Sequence, residues 1–523
     1  MFSTLQNKKI LLLFSLITLI IFNWSIGLWD QDEAAYAGFA KRMLDTGNFL
    51  IPNFEWSSIH RKPPLHFWFN VFWFKVFGYN EWSTRFSSVL SIIGTLILIW
   101  KIGGKIFGKK IGEIAAIVGA SSILIFGLAK IAVTDADLMF FETLAILSCV
   151  AYFKLNNWRY FIGIFIGATG ALLVKGPPVY IMCFGFIGLA FLFSKHKLKA
   201  IYTFLILLLA GVPLFYWGRM TWLADGGDFV TWLVDWYILK RDKPFATQTG
   251  PPGYFYLVFL VAFYTFSNLF IKGFWNTLKS IWNKEARNED TLLLVFWIIP
   301  GWILYEFMPS KLPSYAIGSF AAVCIFIAKE INKLENQNVK EKLKVIPLTL
   351  SLLIGLTAIV AGFLFLNTLG IIGCILIFLI NLTISIKLFK SEQTNYITKG
   401  FQIILTVFCL FSFIVPSIDE HRSATKTVAL KIAENNINRI VLTKNLQLPS
   451  LLFYLETNNV EIIHDYDENN WANHIENGDA LLFMDNTNSY IENNKLEKSI
   501  KFSVFGWISD RGKTITYNII QKK

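Results

Sequence analysis

Apolar residues run through this chain in long, nearly unbroken stretches. About thirteen of them reach the length that a helix needs to cross a bilayer core, roughly 20 residues: 10–28, 83–100, 112–129, 138–153, 158–174, 177–193, 200–217, 254–271, 291–307, 314–328, 345–366, 370–388 and 400–416. The pattern predicts an all-α polytopic membrane region. Lys8 and Lys9 precede the first stretch, and Trp24, Trp29 and Asp30 stand where a signal peptide would be cut. No A-x-A-like site follows, so an uncleaved first span is expected. The aromatic stretch Leu65–Phe77 is interrupted by Asn70 and Lys75. It reads as a helix lying at the interface.

The pattern changes near Ser417, where long apolar runs stop and Asn, Asp and Glu become common. Strand-like runs at Arg439–Leu442, 460–463, Ala480–Met484 and 514–519 alternate with helix-like runs at 425–434 and 449–456. The expectation is two parts: a membrane domain, 1–416, with a first outer loop over 29–82, and a small α/β domain, 417–523. There is no internal repeat, and the second part has no Gly-rich phosphate loop.

Composition agrees with lipid as the main solvent. Hydrophobic residues make up 54% and charged residues 16%, against about 25% charged in an ordinary soluble protein. Disorder and a single large soluble enzyme are excluded. Cys149, Cys183, Cys324, Cys374 and Cys409 all lie in apolar runs, where they read as small helix filler rather than a disulfide framework.

The net charge is +12, and its placement explains it. With a cytoplasmic N-terminus, one set of connections holds Lys101, Lys105, Lys109, Lys110, Lys154, Arg159, Lys195, Lys197, Lys199 and the later lysine clusters. The tight loops on the other side hold Lys130, Lys175 and Lys311. By the positive-inside rule this places the last part of the chain outside the cytoplasm. The basic excess is a topology signal and does not point to nucleic acid.

The chemistry-bearing residues collect on that outer side. After the first span come Asp30, Asp32 and Glu33, then Arg61-Lys62-Pro63-Pro64. Later outer connections bring Asp135 and Asp137, then Lys175-Gly176-Pro177-Pro178, then Asp228 and Arg241, then Lys311-Leu312-Pro313-Ser314-Tyr315. Each has a plain reading alone: a turn acid for Asp135, a helix cap or snorkelling side chain for Lys175 and Lys311. Their common side gives the joint reading. Ionisable groups near membrane depth are costly and mark function. Carboxylates suit a general base or a cationic centre, and lysines suit a phosphate. Both together predict a lipid-phosphate substrate. Ala34, Ala37, Ala40, Met43 and Leu44 follow Asp32 and Glu33 at helical spacing, so these acids open a helix whose dipole favours them.

These motifs resemble a family. Trp29-x-x-Asp32-Glu33-x-x-Tyr36-Ala37, then Met43-Leu44-x-x-Gly47-x-Phe49-x-x-Pro52, then Lys62-Pro63, is similar to the aminoarabinose transferases that modify lipid A and to the protein O-mannosyltransferase-like group. Ala132-Val133-Thr134-Asp135, Val174-Lys175-Gly176 and Lys311-Leu312-Pro313-Ser314-Tyr315 match later motifs in order. The resemblance implies a GT-C fold glycosyltransferase of the bacterial cytoplasmic membrane. A sugar would pass, with inversion, from a polyprenyl-phosphate donor to a lipid, protein or glycan acceptor of the cell envelope. It implies Asp32 as the catalytic carboxylate, with Glu33 supporting it and Asp135 orienting the site. It implies Lys62, Lys175, Lys311 and Tyr315 on the donor phosphate, with Tyr36 and Arg241 as further substrate contacts. Two positions depart. Arg61 stands where the family commonly has an acid, and 246–250 lacks the family's His. Both family positions are implicated in metal binding, so no cofactor is assigned and the usual ligands of a divalent metal are not seen. Arg61 is instead expected to be another phosphate contact. The competing class is a multi-span transporter or lipid flippase, which would place polar residues at mid-span in broken helices within repeated halves.

Overall fold

The computed structural model describes the chain except residues 1, 25, 31, 240–248, 286, 423, 444–447, 485–487, 497–498, 509–512 and 522–523. Among the described residues, seven helices are long and apolar enough to span a membrane, beginning with Glu81–Phe107 and ending with Tyr396–Ile418. Two bent pairs raise the number to nine: Lys109–Gly119 with Ile123–Ala129 (59°), and Tyr254–Ala262 with Tyr264–Lys279 (98°). The other expected spans are helical but shorter or more polar: Phe2–Ile20, Tyr160–Lys175, Pro178–Phe193 and Phe320–Gln337.

Two boundaries differ from expectation. The first helix ends at Ile20 rather than near 28, because Phe22 takes a left-handed φ of 67°. The following carbonyls of Asn23, Ile26 and Gly27 then turn toward the Arg85 guanidinium. The stretch read as starting at 314 becomes helical only at Phe320, after turns that follow Pro313.

The helices Asp32–Thr46 and Leu65–Phe77 form in the connection after the first helix. They begin and end where the sequence signals place them: the acids at one start, Pro64 before the other, and Gly78 in a left-handed conformation at its end (φ 75°). All five cysteines are buried in the helical part.

The last part of the chain holds five strands: β1 (Arg439–Leu442), β2 (Glu461–His464), β3 (Ala480–Met484), β4 (Ile500–Ile508) and β5 (Lys513–Ile520). Their order is β2-β1-β3-β5-β4, parallel between β2, β1 and β3 and antiparallel beyond. Residues alternate between two buried faces. Ile440, Leu442, Leu482 and Ile519 belong to one core, and Val441, Leu481, Phe483 and Ile520 to the other. The first core is shared: Tyr36, Phe39, Met43, Phe67 and Phe74 of the two connecting helices pack into it. The sheet is thereby fixed to the segment that carries Asp32.

Candidate active site

Asp32 opens its helix beside the 3-10 turn Ser58–His60. Its Oδ1 lies 2.8 Å from His60 Nδ1, and the Tyr36 hydroxyl, one turn along, donates to it. The Asp32 side chain is 62% exposed, while His60 is nearly covered. Surrounding protein opposes its ionisation. The His60 hydrogen bond, the His60 charge, and the Lys62 and Lys175 ammonium groups outweigh that, and the carboxyl sits below its ordinary range. Tyr36 is almost fully buried, and burial together with Asp32, Tyr237 and Asp135 pushes its phenol well above the usual value. It is therefore a proton donor to Asp32.

Asp135 and Lys175 meet by helix logic. Asp135 lies in the first turn of Thr134–Leu155, and Lys175 ends Tyr160–Lys175, which packs beside it. Each sits where its helix dipole favours its charge. Gly176 follows Lys175 with φ 88°, a turn that costs a glycine little, and Pro178 opens the next helix. Lys175 Nζ donates to Asp135 Oδ1 at 2.5 Å. Asp32 and Tyr315 both act electrostatically on Lys175. Asp32, Tyr36, Lys62, Asp135, Lys175 and Tyr315 thus form one electrostatically linked cluster drawn from five separate stretches of sequence.

Lys62 is buried; it donates to the Tyr237 hydroxyl and lies 4.2 Å from that ring's centroid. Arg61 points to Asp228 (3.5 Å) and over the rings of Phe229 and Trp232. It ties the 228–239 segment to the Lys-Pro motif. Lys311 turns to Glu306 (3.4 Å) and the Pro251 carbonyl (3.1 Å), so its charge is partly balanced by a carboxylate that the motif does not contain. Arg241 lies outside the described residues.

Glu33 requires a correction. It was expected beside Asp32 as a supporting acid of the reaction, yet it is fully buried in an ion pair with Arg85. Arg85 Nε and Nη2 donate to its two oxygens at 2.7 and 2.8 Å. The amides of Ala132 and Trp29 donate to the same oxygens at 2.7 and 2.9 Å. With its lone pairs engaged, Glu33 is a structural knot that joins the Asp32 segment to the Asp135 segment. Consecutive residues of a helix point about 100° apart, so Asp32 is exposed while Glu33 faces the core.

Three further groups surround this cluster. Asp137 is buried against His66 (Nδ1 to Oδ2, 2.7 Å) and accepts from Ser91 at 2.5 Å, so His66 packs inside rather than touching substrate. Tyr237 comes from a segment without a recognisable motif. Glu142 is buried seven residues beyond Asp135, and Lys175, Asp135 and Tyr305 lie within its electrostatic reach. A lone acid inside an apolar run was the signal for it.

A divalent metal does not fit this donor set. Asp135 is paired with Lys175, Asp32 with His60, and a guanidinium occupies position 61. No group of three His, Cys, Asp or Glu suited to a metal occurs among the described residues.

Known proteins resemble the chain in both sequence and structure. A family model described as dolichyl-phosphate-mannose-protein mannosyltransferase matches residues 61–217. An uncharacterised protein of Aquifex aeolicus is 27% identical over 344 residues, 64% of this chain and 66% of the relative. The undecaprenyl phosphate-alpha-4-amino-4-deoxy-L-arabinose arabinosyl transferase of Enterobacter sp. is 24% identical over 345 residues, 63% of this chain and 60% of the relative. The chain thus matches slightly under two thirds of those relatives' length. ArnT from Cupriavidus metallidurans in the apo state superposes with a TM-score of 0.73 at 13% identity, covering 99% of this chain and 97% of that one. The chain has the ArnT fold. The same ArnT bound to undecaprenyl phosphate gives a TM-score of 0.71 at 13% identity, with 97% of each chain covered. The polytopic helical membrane architecture with a small C-terminal α/β part, expected from the sequence, is borne out.

Proposed function

We propose that this chain is an integral-membrane glycosyltransferase that moves a sugar from a polyprenyl-phosphate donor to a cell-envelope acceptor on the outer face of the bacterial cytoplasmic membrane. The observation that carries this reading is one cluster in which the Asp32 carboxyl, bonded to His60, sits below its ordinary range under the Lys62 and Lys175 charges. The family match and the ArnT fold, known with undecaprenyl phosphate bound in the C. metallidurans protein, support it.

The chemistry follows from charge placement. An acceptor oxygen attacks the anomeric carbon, and the bond from that carbon to the phosphate oxygen breaks. The electron pair leaves on a polyprenyl phosphate. Asp32 orients the acceptor, receives its proton where it carries one, and faces the positive charge that develops on the sugar. Lys62 and Lys175 supply fixed positive charge where the leaving phosphate forms, the kind of pre-arranged field that lowers such barriers most. Lys311 with Tyr315 extends that positive rim, and Arg61 holds its aromatic wall.

The transporter alternative has one observation on its side: the bent pair at Tyr264 joins a buried polar network, Tyr264–Asn381–Thr406–Gln402. That network includes none of the groups acting on Asp32 and links helices to one another. The test is a purified-protein assay with a panel of undecaprenyl-phosphate sugars and envelope extracts, read by mass spectrometry. Release of undecaprenyl phosphate with a glycosylated product is expected. Vesicle-to-vesicle movement of an unmodified donor, without product, contradicts the proposal.

A further inference from the structure

The C-terminal part of the chain touches the Asp32 segment at specific points, and we propose that it is a clamp that sets the position of the Asp32 carboxylate, with Ser450 and Tyr454 as positioning residues. The inference rests on the reading of Asp32 as the reacting carboxylate. Both residues stand on one face of the helix Pro449–Thr457, one turn apart.

Ser450 is fully buried near the start of that helix, where Leu448 offers no side-chain cap. The missing cap comes from Asp30, 420 residues away. The Ser450 amide donates to Asp30 Oδ1 at 2.9 Å, and the Ser450 hydroxyl donates to Oδ2. A carboxylate on the orphan amides of a helix start is a charge-assisted bond that also gains from the dipole. Tyr454 is likewise buried. Its hydroxyl accepts from the Leu28 amide at 2.8 Å and donates to Glu81 Oε1 at 2.9 Å.

These two grips bracket Trp29, whose amide donates to Glu33. Residues 28 and 30 are therefore tied to the helix Pro449–Thr457, residue 29 to Glu33, residue 32 to His60 and residue 33 to Arg85, and Asp32 lies between the tie at Asp30 and the knot at Glu33. Outside this segment the same face is fastened by Lys426 to Glu81 (2.6 Å), by Lys41 and Arg42 to Glu456 (3.0 Å each), and by the shared apolar core. Ser450 and Tyr454 are covered, so their effect on the reaction passes through the loop rather than through contact with substrate.

Positioning has a recognisable kinetic signature. A shift of about 1 Å in a reacting group costs about 100-fold in rate. Tyr454→Phe, which removes only the hydroxyl, should lower kcat about tenfold or more and leave the donor KM within about twofold. Ser450→Ala should do the same, and Ser450→Thr, which keeps a hydroxyl, should restore part of kcat. Hydrogen exchange followed by mass spectrometry supplies a reading that does not depend on activity. In detergent-purified full-length Tyr454→Phe, peptides covering 27–36 should exchange faster, with the spanning helices unchanged.

Faster exchange together with a kcat loss at constant KM supports the clamp. Unchanged exchange, or faster exchange with normal kcat, overturns it. A rise in KM at normal kcat also overturns it and assigns this face to substrate handling. Absence of transfer in the wild-type protein contradicts the functional reading instead, and the exchange result alone then decides whether the clamp exists.

Discussion

The buried Glu33–Arg85 pair gives the sharpest stability prediction. Arg85 makes five hydrogen bonds: two to Glu33 at 2.7 and 2.8 Å, and three to the carbonyls of Asn23, Ile26 and Gly27 at 2.9, 2.7 and 3.1 Å. Arg85→Met keeps much of the volume and deletes all five. It leaves a buried carboxylate with only the Trp29 and Ala132 amides as donors. Removing one partner of a buried ion pair costs about 3–5 kcal/mol. Unfolding entropy of about 2 cal/mol/K per residue over 523 residues converts 4 kcal/mol into a Tm loss of about 4 °C. The loss is larger if a smaller unit melts. Glu33→Gln should also lower Tm, because it leaves the guanidinium uncompensated. The double variant should recover part of the loss, since the two sites couple directly. Tryptophan fluorescence of detergent-purified protein reads Tm, and transfer per folded molecule is measured alongside. If Glu33→Gln keeps the wild-type Tm yet transfers no sugar, Glu33 reacts and the structural assignment is wrong.

Three further outcomes follow from the same geometry. Lys62→Ala removes a buried ammonium beside Asp32 and should raise the donor KM by about 10–100-fold, the worth of a charge-assisted bond; a changed acceptor preference with normal donor KM would misplace it. For pH, the Asp32 carboxyl is depressed, so its ionised form is favoured above the ordinary carboxylate value and lost as pH falls through the depressed one. The acid limb of kcat/KM should therefore lie below about pH 4, and His60→Asn, which removes its main support, should move that limb upward; an unmoved limb contradicts the pairing. Asp137→Ala should destabilise the protein by about 3 kcal/mol, because it removes the buried contacts with His66 and Ser91, while the donor KM of the folded fraction stays as it was.

Much of the architecture was legible in the sequence. Apolar run length located the spans, since a bilayer imposes one length on every helix that crosses it. Strands β1 and β3 and the helix starting at Pro449 also fell where predicted. Strand β4 and the helix Glu468–Glu476 were missed. β4 carries a local strand signal, the alternation of Ile500, Phe502 and Val504, which lies beside polar, Asn- and Lys-rich sequence. In the site, the residues that the motifs single out, Asp32, Lys62, Asp135, Lys175 and Tyr315, lie within electrostatic reach of one another. Sequence could not separate Asp32 from Glu33, because adjacent acids look alike until a partner 52 residues away, Arg85, claims one of them. Tyr237, Ser450 and Tyr454 were hidden for the same reason: their role is defined by a distant partner, not by their neighbours in the chain.

The most direct measurement is transfer by Asp32→Asn, purified beside wild type and checked for the same Tm and elution volume. The substitution keeps the shape and a hydrogen bond to His60 but removes the charge. The account predicts that wild type releases polyprenyl phosphate and forms glycosylated acceptor, whereas the variant still binds donor and forms no product above background. Wild-type turnover by a folded Asp32→Asn protein would contradict the central claim.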